Sequence, residues 1–167
     1  MTKEQYLSTT KYIAKLLLYL QDSSDLPELP EDVTLRDVYM VSARHSLAAA
    51  AYIALRERIE KSDVPDEYKL KWSREAELAT VQHIRHTAAF AELTNAFTAA
   101  KIPFLPIKGF ILKAFWTRPE LRTMADMDIV VSEETFASAC DVLTSIGYVL
   151  DHDGEVHYSY TKNKFII

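Results

Sequence analysis

Two aspartates one residue apart, Asp126 and Asp128, run directly into Ile129, Val130 and Val131. At the start of a strand, residues i and i+2 point to the same face, about 7 Å apart along the backbone. Both carboxylates can then reach a common divalent metal site. Lys108 and Gly109 close an earlier apolar segment that begins at Pro103. A glycine turn that opens a helix offers backbone amides to a phosphate, and a lysine beside it supplies a counter-charge. Paired carboxylates can bridge two divalent ions about 3.5–4 Å apart, which clamp the attacking and leaving oxygens of an in-line displacement. The pattern therefore points to metal-assisted phosphoryl chemistry. Arg118 and Arg122 lie in the loop before Asp126. Each can contact a triphosphate, or pair with Glu120 and the aspartates. Arg122 is nearer the motif and is the one favoured for phosphate.

Other groupings are weaker. His83 and His86 fall at i and i+3 of a helical stretch, without a third ligand on that face. His152, Asp153, Glu155 and His157 are richer in donors, but His152-Asp153-Gly154 reads as a hairpin turn. Tyr158 and Tyr160 alternate with Ser159 as sheet-face residues do. Cys140 sits mid-helix among Ala137, Ala139 and Val142, so it reads as buried and inert. No Ser-His-Asp or Cys-His arrangement has local support.

Composition narrows the classes. The chain has 167 residues, 49% of them hydrophobic, enough for one domain or two small ones. Its single cysteine cannot form a disulfide within the chain, which fits a cytoplasmic setting. The first residues lack the basic-then-apolar layout of a signal peptide. The longest apolar runs, residues 16–20 and 47–55, fall far short of the ~20 needed to span a bilayer. The net charge of −5, with no basic stripe, argues against extended nucleic acid as a partner.

The elements that must position the motif follow from periodicity. Residues 1–100 read almost wholly as helix. Residues 4–21 place Ile13, Leu16, Leu17 and Leu20 on one stripe. Residues 22–30 form a loop. Thr34 reads as an N-cap with Asp37 closing a capping box. The helix behind it runs towards Ile59, with a break near residues 42–46, and the alanines at 48–51 suggest close helix–helix approach. Pro65 opens a third helix reaching Ala100. On it Leu78, Val81, Ile84, Ala88 and Ala91 form one apolar row, with Phe90, Leu93 and Phe97 beside it. All three glycines lie beyond residue 108, and the period changes there. Residues 102–107 read as a short irregular strand, 109–116 as a helix, 118–125 as a loop and 127–131 as a buried strand. Ser132 caps a helix over 133–146 that Gly147 ends. Residues 148–150 and 155–160 read as strands, 161–164 as a polar turn and 165–167 as the beginning of another strand. Because the sequence stops inside an apolar strand, a C-terminally truncated fragment is expected.

Residues 102–109 (Ile-Pro-Phe-Leu-Pro-Ile-Lys-Gly), 121–131 (Leu-Arg-Thr-Met-Ala-Asp-Met-Asp-Ile-Val-Val) and Gly147-Tyr148 together resemble the uncharacterised nucleotidyltransferases of bacteria. That family sits in the polymerase-beta-type nucleotidyltransferase superfamily, and the likeness covers residues 80–167. It implies that Asp126 and Asp128 are catalytic and hold Mg²⁺, with a two-metal site expected and Mn²⁺ possible. It implies that Gly109, with Lys108 and Arg122, binds the nucleotide's phosphates. Gly109 fits the superfamily's glycine. Phe110 stands where the wider superfamily has serine. The third carboxylate would be expected on a strand beyond residue 167.

The expectation is thus an α+β protein: a helical region over 1–100, then an incomplete polymerase-beta-like nucleotidyltransferase core with a small mixed sheet over 101–167. It would move a nucleoside monophosphate from a nucleoside triphosphate to an acceptor hydroxyl. Two rivals stand beside it. A nucleotide-sugar glycosyltransferase also uses Asp-x-Asp, but needs alternating strands and helices ahead of the motif. A non-catalytic nucleotide-binding or regulatory module would keep the fold without turnover.

Overall fold

The computed structural model of the chain describes residues 1–22, 25–154, 158–163 and 165–167. It is α+β, with helices dominating the first part and short strands the rest. Among the described residues, no helix is long and apolar enough to cross a membrane. The chain divides into two compact units: Met1–His83 with Trp116–Thr123, and Ile84–Phe115 with Met124–Ile167. The division falls inside one long helix.

The first unit is helical. It holds α1 (Lys3–Asp22), α2 (Leu35–Arg44), α3 (Ala48–Glu60) and the first half of α4 (Asp66–Ala99). Thr34 caps α2 as the sequence requires: its hydroxyl accepts from the Asp37 N–H, and the Asp37 carboxylate accepts from the Thr34 N–H. Between α2 and α3 the chain breaks at Ser46, whose φ of 57° lies in the left-handed region. α1, α2 and α3 pack on one another around Tyr12, Ile13, Leu16, Val38 and Leu55. The alanines of α3 are all buried, so another side chain can approach closely. Trp72 uses that room, and its indole N–H donates to the Ala48 carbonyl at 2.8 Å. A smaller cluster gathers Ala49, Ala50, Ala76, Ala79 and Leu121.

Helix α4 departs from the expected face. Leu78, Val81, Ile84, Ala88 and Ala91 are all exposed. Its buried side chains are Trp72, Ala76, Ala79, His86, Leu93 and Phe97, with Phe90 half-buried. The expected row satisfied helical spacing, but the large side chains of Trp72, Leu93 and Phe97 find cover on the other face and set the rotation of the helix.

The second unit carries the strands. After the second half of α4 come β1 (Phe104–Pro106), α5 (Gly109–Lys113), β2 (Ile129–Val131), α6 (Glu133–Ser145), β3 (Val149–Asp153), β4 (Tyr158–Lys162) and β5 (Phe165–Ile166). β1 and β2 form an antiparallel pair, and β3, β4 and β5 form an antiparallel sheet. A parallel bridge between Asp126 and Ile166 supplies the parallel component of the expected mixed sheet. Leu93, Phe97, Ile102, Leu143, Tyr148 and Tyr160 make the core. Gly147, at φ 88°, closes α6 in a Schellman motif: the Gly147 N–H donates to the Thr144 carbonyl and the Tyr148 N–H to the Leu143 carbonyl.

Several local expectations shift. α5 ends at Lys113 rather than residue 116. A short 3-10 turn, Pro119–Leu121, interrupts the loop before the acidic motif. Ser132 stands at the N-cap of α6 without capping it, because its hydroxyl bonds the Thr135 hydroxyl instead. His152 and Asp153 belong to strand β3 and not to a turn, and Thr161 and Lys162 belong to β4. Glu155 and His157, donors that the hairpin reading set aside, lie outside the described residues, as does Lys164.

Candidate functional site

The acidic motif is held on two sides. The Ile107 N–H donates to the Asp128 carbonyl at 2.9 Å, continuing the β1–β2 ladder. The Met127 N–H donates to the Ile166 carbonyl at 3.0 Å. Met127 is 1% exposed, whereas Asp126 is exposed and Asp128 half-buried. That alternation puts the two aspartates on the solvent face of an extended segment and Met127 in the core.

Lys108 stands across from them. Its ammonium lies 3.2 Å from Asp128 Oδ2, with the lysine side chain 70% and the aspartate 23% exposed. The register of β1 against β2 dictates this meeting, because Ile107 pairs with Asp128 and Lys108 follows it. Lys108 has φ 50° and ψ −115°, a combination that glycine adopts far more easily. Holding lysine there costs on the order of 1–3 kcal/mol. The strain falls on Lys108, and Gly109 begins α5 in ordinary helical geometry. α5 has five residues and little dipole of its own.

Phe110, the residue after Gly109, turns away from any phosphate role. Its ring stacks on Phe90 of α4, centroids 4.0 Å apart. Lys113, at the other end of α5, is 5% exposed. Sequence reasoning passed over it, since a lysine in an amphipathic stretch reads as solvated.

The arginines divide. Arg118 pairs with Glu120 at 2.8 Å, the alternative that the sequence left open for it. Arg122 is half-buried in the Trp116–Thr123 segment of the first unit, whereas Lys108, Gly109, Asp126 and Asp128 belong to the second. The structure thus gathers Lys108, Asp126 and Asp128 within the second unit.

A second network fixes the frame. Lys162 of β4 donates to Glu92 of α4 and to the Ile146 carbonyl at the end of α6, both at 2.6 Å. Its ammonium lies 5.4 Å from the centre of the Tyr148 ring. Burial, reinforced by the nearby Glu92 charge, pushes the Tyr148 hydroxyl up to about 12. Burial also pushes Tyr160 up to about 12, with its hydrogen bond to Cys140 adding to the effect.

Among the described residues, no group of three or more His, Cys, Asp and Glu could hold a metal. Asp126 and Asp128 supply two hard oxygen donors. Magnesium is commonly held through one or two carboxylates, with phosphate oxygens and water completing its octahedron, so this donor set fits a magnesium–nucleotide complex. One exposed and one half-buried acid beside a lysine, on a short ladder backed by helices, mark the charged face of an α+β domain. Residues 31–167 match the family model described as uncharacterised nucleotidyltransferase, and the chain belongs to that family. The match takes in α2 and α3 as well as the strands. Membership makes a nucleotide the expected substrate class. No curated protein and no solved structure matches the chain.

Proposed function

We propose that the second unit transfers a nucleoside monophosphate from a nucleoside triphosphate to an acceptor hydroxyl, in the manner of the polymerase-beta-type superfamily. The observation that carries this reading is the shared solvent face of Asp126 and Asp128, with Lys108 3.2 Å from Asp128. Asp126 and Asp128 would hold Mg²⁺, or Mn²⁺ in its place, with a two-metal arrangement as the fullest form. The metal supplies charge neutralisation on the triphosphate oxygens. Lys108 donates to the β- or γ-phosphate, and the Gly109 backbone lies beside it as part of the same cradle. The acceptor oxygen attacks the α-phosphorus and loses its proton, while the bond to pyrophosphate breaks.

Calorimetry with Mg²⁺ and each of the four nucleoside triphosphates, paired with a pyrophosphate-release assay, tests the proposal. Binding with Mg²⁺-dependent release supports transfer. Binding without release supports the second reading, a nucleotide-binding or regulatory module on the same fold. Unchanged binding and Mg²⁺ dependence in Asp126→Asn/Asp128→Asn would remove these residues from the site.

A further inference from the structure

Among the described residues, two lysine–carboxylate pairs join positions distant in sequence, and they are built differently. Lys162 is held from several sides. Its ammonium donates to Glu92 and to the Ile146 carbonyl, both at 2.6 Å, and 25% of its side chain is exposed. Lys108 reaches Asp128 at 3.2 Å with 70% of its side chain in solvent, and Asp128 is the one partner of its ammonium among the described residues. The first pair is made to stay closed. The second can open without stranding a buried charge on the lysine. Asp128, 23% exposed, gives up more of its hydration and needs a cation beside it.

That cation stands in the way of a metal. A magnesium ion bound to Asp128 Oδ2 would sit about 2.0–2.1 Å from the oxygen, so the ammonium in its present place would lie within about 5 Å of it. Like charges that close oppose joint occupancy, and the metal has to displace the lysine. The displaced ammonium gains a new partner when the incoming ligand also brings an anion. Its stem is long and flexible enough to turn towards one, while the backbone at φ 50° fixes where that stem starts.

We propose that Lys108 is an internal cation that guards Asp128 until a metal–triphosphate complex replaces it. Bare divalent ions are disfavoured, and the metal enters with its nucleotide. The triphosphate accepts the ammonium that the metal displaces, so loading exchanges one ion pair for two. The inference rests on the transfer reading given above and adds to it the order in which the site fills. By linkage, triphosphate tightens metal binding by the same factor as metal tightens triphosphate binding, and Lys108 supplies part of that factor.

Mn²⁺ is the probe, since its electron paramagnetic resonance signal in solution is lost on binding to protein. Lys108→Met keeps the stem and removes the charge. Lys108→Gly removes the charge and also relieves the positive φ, so it should fold at least as well as the parent chain. Both should bind Mn²⁺ alone about fivefold more tightly than the parent, the upper end for an exposed ion pair. Both should bind Mn²⁺–nucleoside triphosphate about tenfold more weakly. Lys108→Arg should match the parent with Mn²⁺ alone, and on an Asp128→Asn background Lys108→Met should have no effect on Mn²⁺. Equal Mn²⁺ affinity in parent and variants, weaker affinity in the variants, or no uptake of Mn²⁺ by any of them overturns the exchange, while triphosphate binding by the parent leaves the transfer reading standing. Tightening in Lys108→Gly alone would assign the effect to backbone relief and overturn it as well. No binding of any triphosphate removes the transfer reading and this inference with it.

Discussion

Lys108, one residue past the Ile107–Asp128 pair that extends the β1–β2 ladder, meets Asp128 ammonium to carboxylate at 3.2 Å. The lysine end of the contact is mostly solvent-exposed, so as a salt bridge it contributes little stability, about 0–1 kcal/mol. The strained backbone of Lys108 costs more than that. A residue kept at a net loss is better explained by what its charge does for a ligand than by what it does for the fold.

Lys108→Gly should therefore leave the melting temperature unchanged or raise it, because glycine relieves the positive φ. The same variant should bind nucleoside triphosphate about tenfold more weakly, a loss near 1.4 kcal/mol. Lys108→Ala should lose binding equally but keep the strain. Calorimetry and thermal unfolding on the three proteins separate the two effects.

Asp126→Asn removes one exposed carboxylate and should not change stability by more than about 0.5 kcal/mol. Pyrophosphate release should fall at least ~100-fold, since metal-borne charge stabilisation supplies several kcal/mol to such reactions. A variant that keeps full turnover would exclude Asp126 from the site.

Thr34→Ala removes the hydroxyl that accepts from the Asp37 N–H and leaves the backbone N–H that donates to the Asp37 carboxylate. Urea unfolding should register a loss of about 1 kcal/mol. Nucleotide binding should be unaffected, because the box belongs to the first unit.

Gly147→Ala puts a Cβ at φ 88°, where space exists but the backbone is unfavourable; the nearest atom, Lys162 Cε, is 3.6 Å from the added carbon. The expected cost is about 1–2 kcal/mol of backbone strain, measured by denaturant unfolding.

Alkaline unfolding should carry a signature of Tyr148. Its folded pKa, about 12, exceeds the ordinary value of 10.0, so the native state holds that proton more tightly than the unfolded chain does. The stabilisation is complete below pH 10 and is lost as pH rises from 10 towards 12. Tyr148→Phe should flatten the fall in stability across that window, and a profile identical to the parent chain would show that Tyr148 does not titrate there.

Much of this architecture was legible in the sequence. Thr34 with Asp37, the break near Ser46, and Gly147 after a helical run are local signals whose chemistry acts over a few residues. The acidic pair was legible because Asp-Met-Asp alternates charge and bulk ahead of three β-branched residues. What escaped were matters settled by distant partners. The rotation of α4 depends on where Trp72, Leu93 and Phe97 find cover. The length of β3 depends on its register with β4, which carried His152 and Asp153 out of the expected turn. The strain at Lys108 is visible only in the backbone, because the sequence places a glycine one position later, where strain would have been anticipated.

The Phe90–Phe110 stack has a consequence for how a nucleotide would be received. A ring buttressed against α4 anchors the short helix that follows the lysine, with about 0.5–1.5 kcal/mol for an aromatic pair. Under the transfer reading, that anchorage would hold the lysine in place before a ligand arrives.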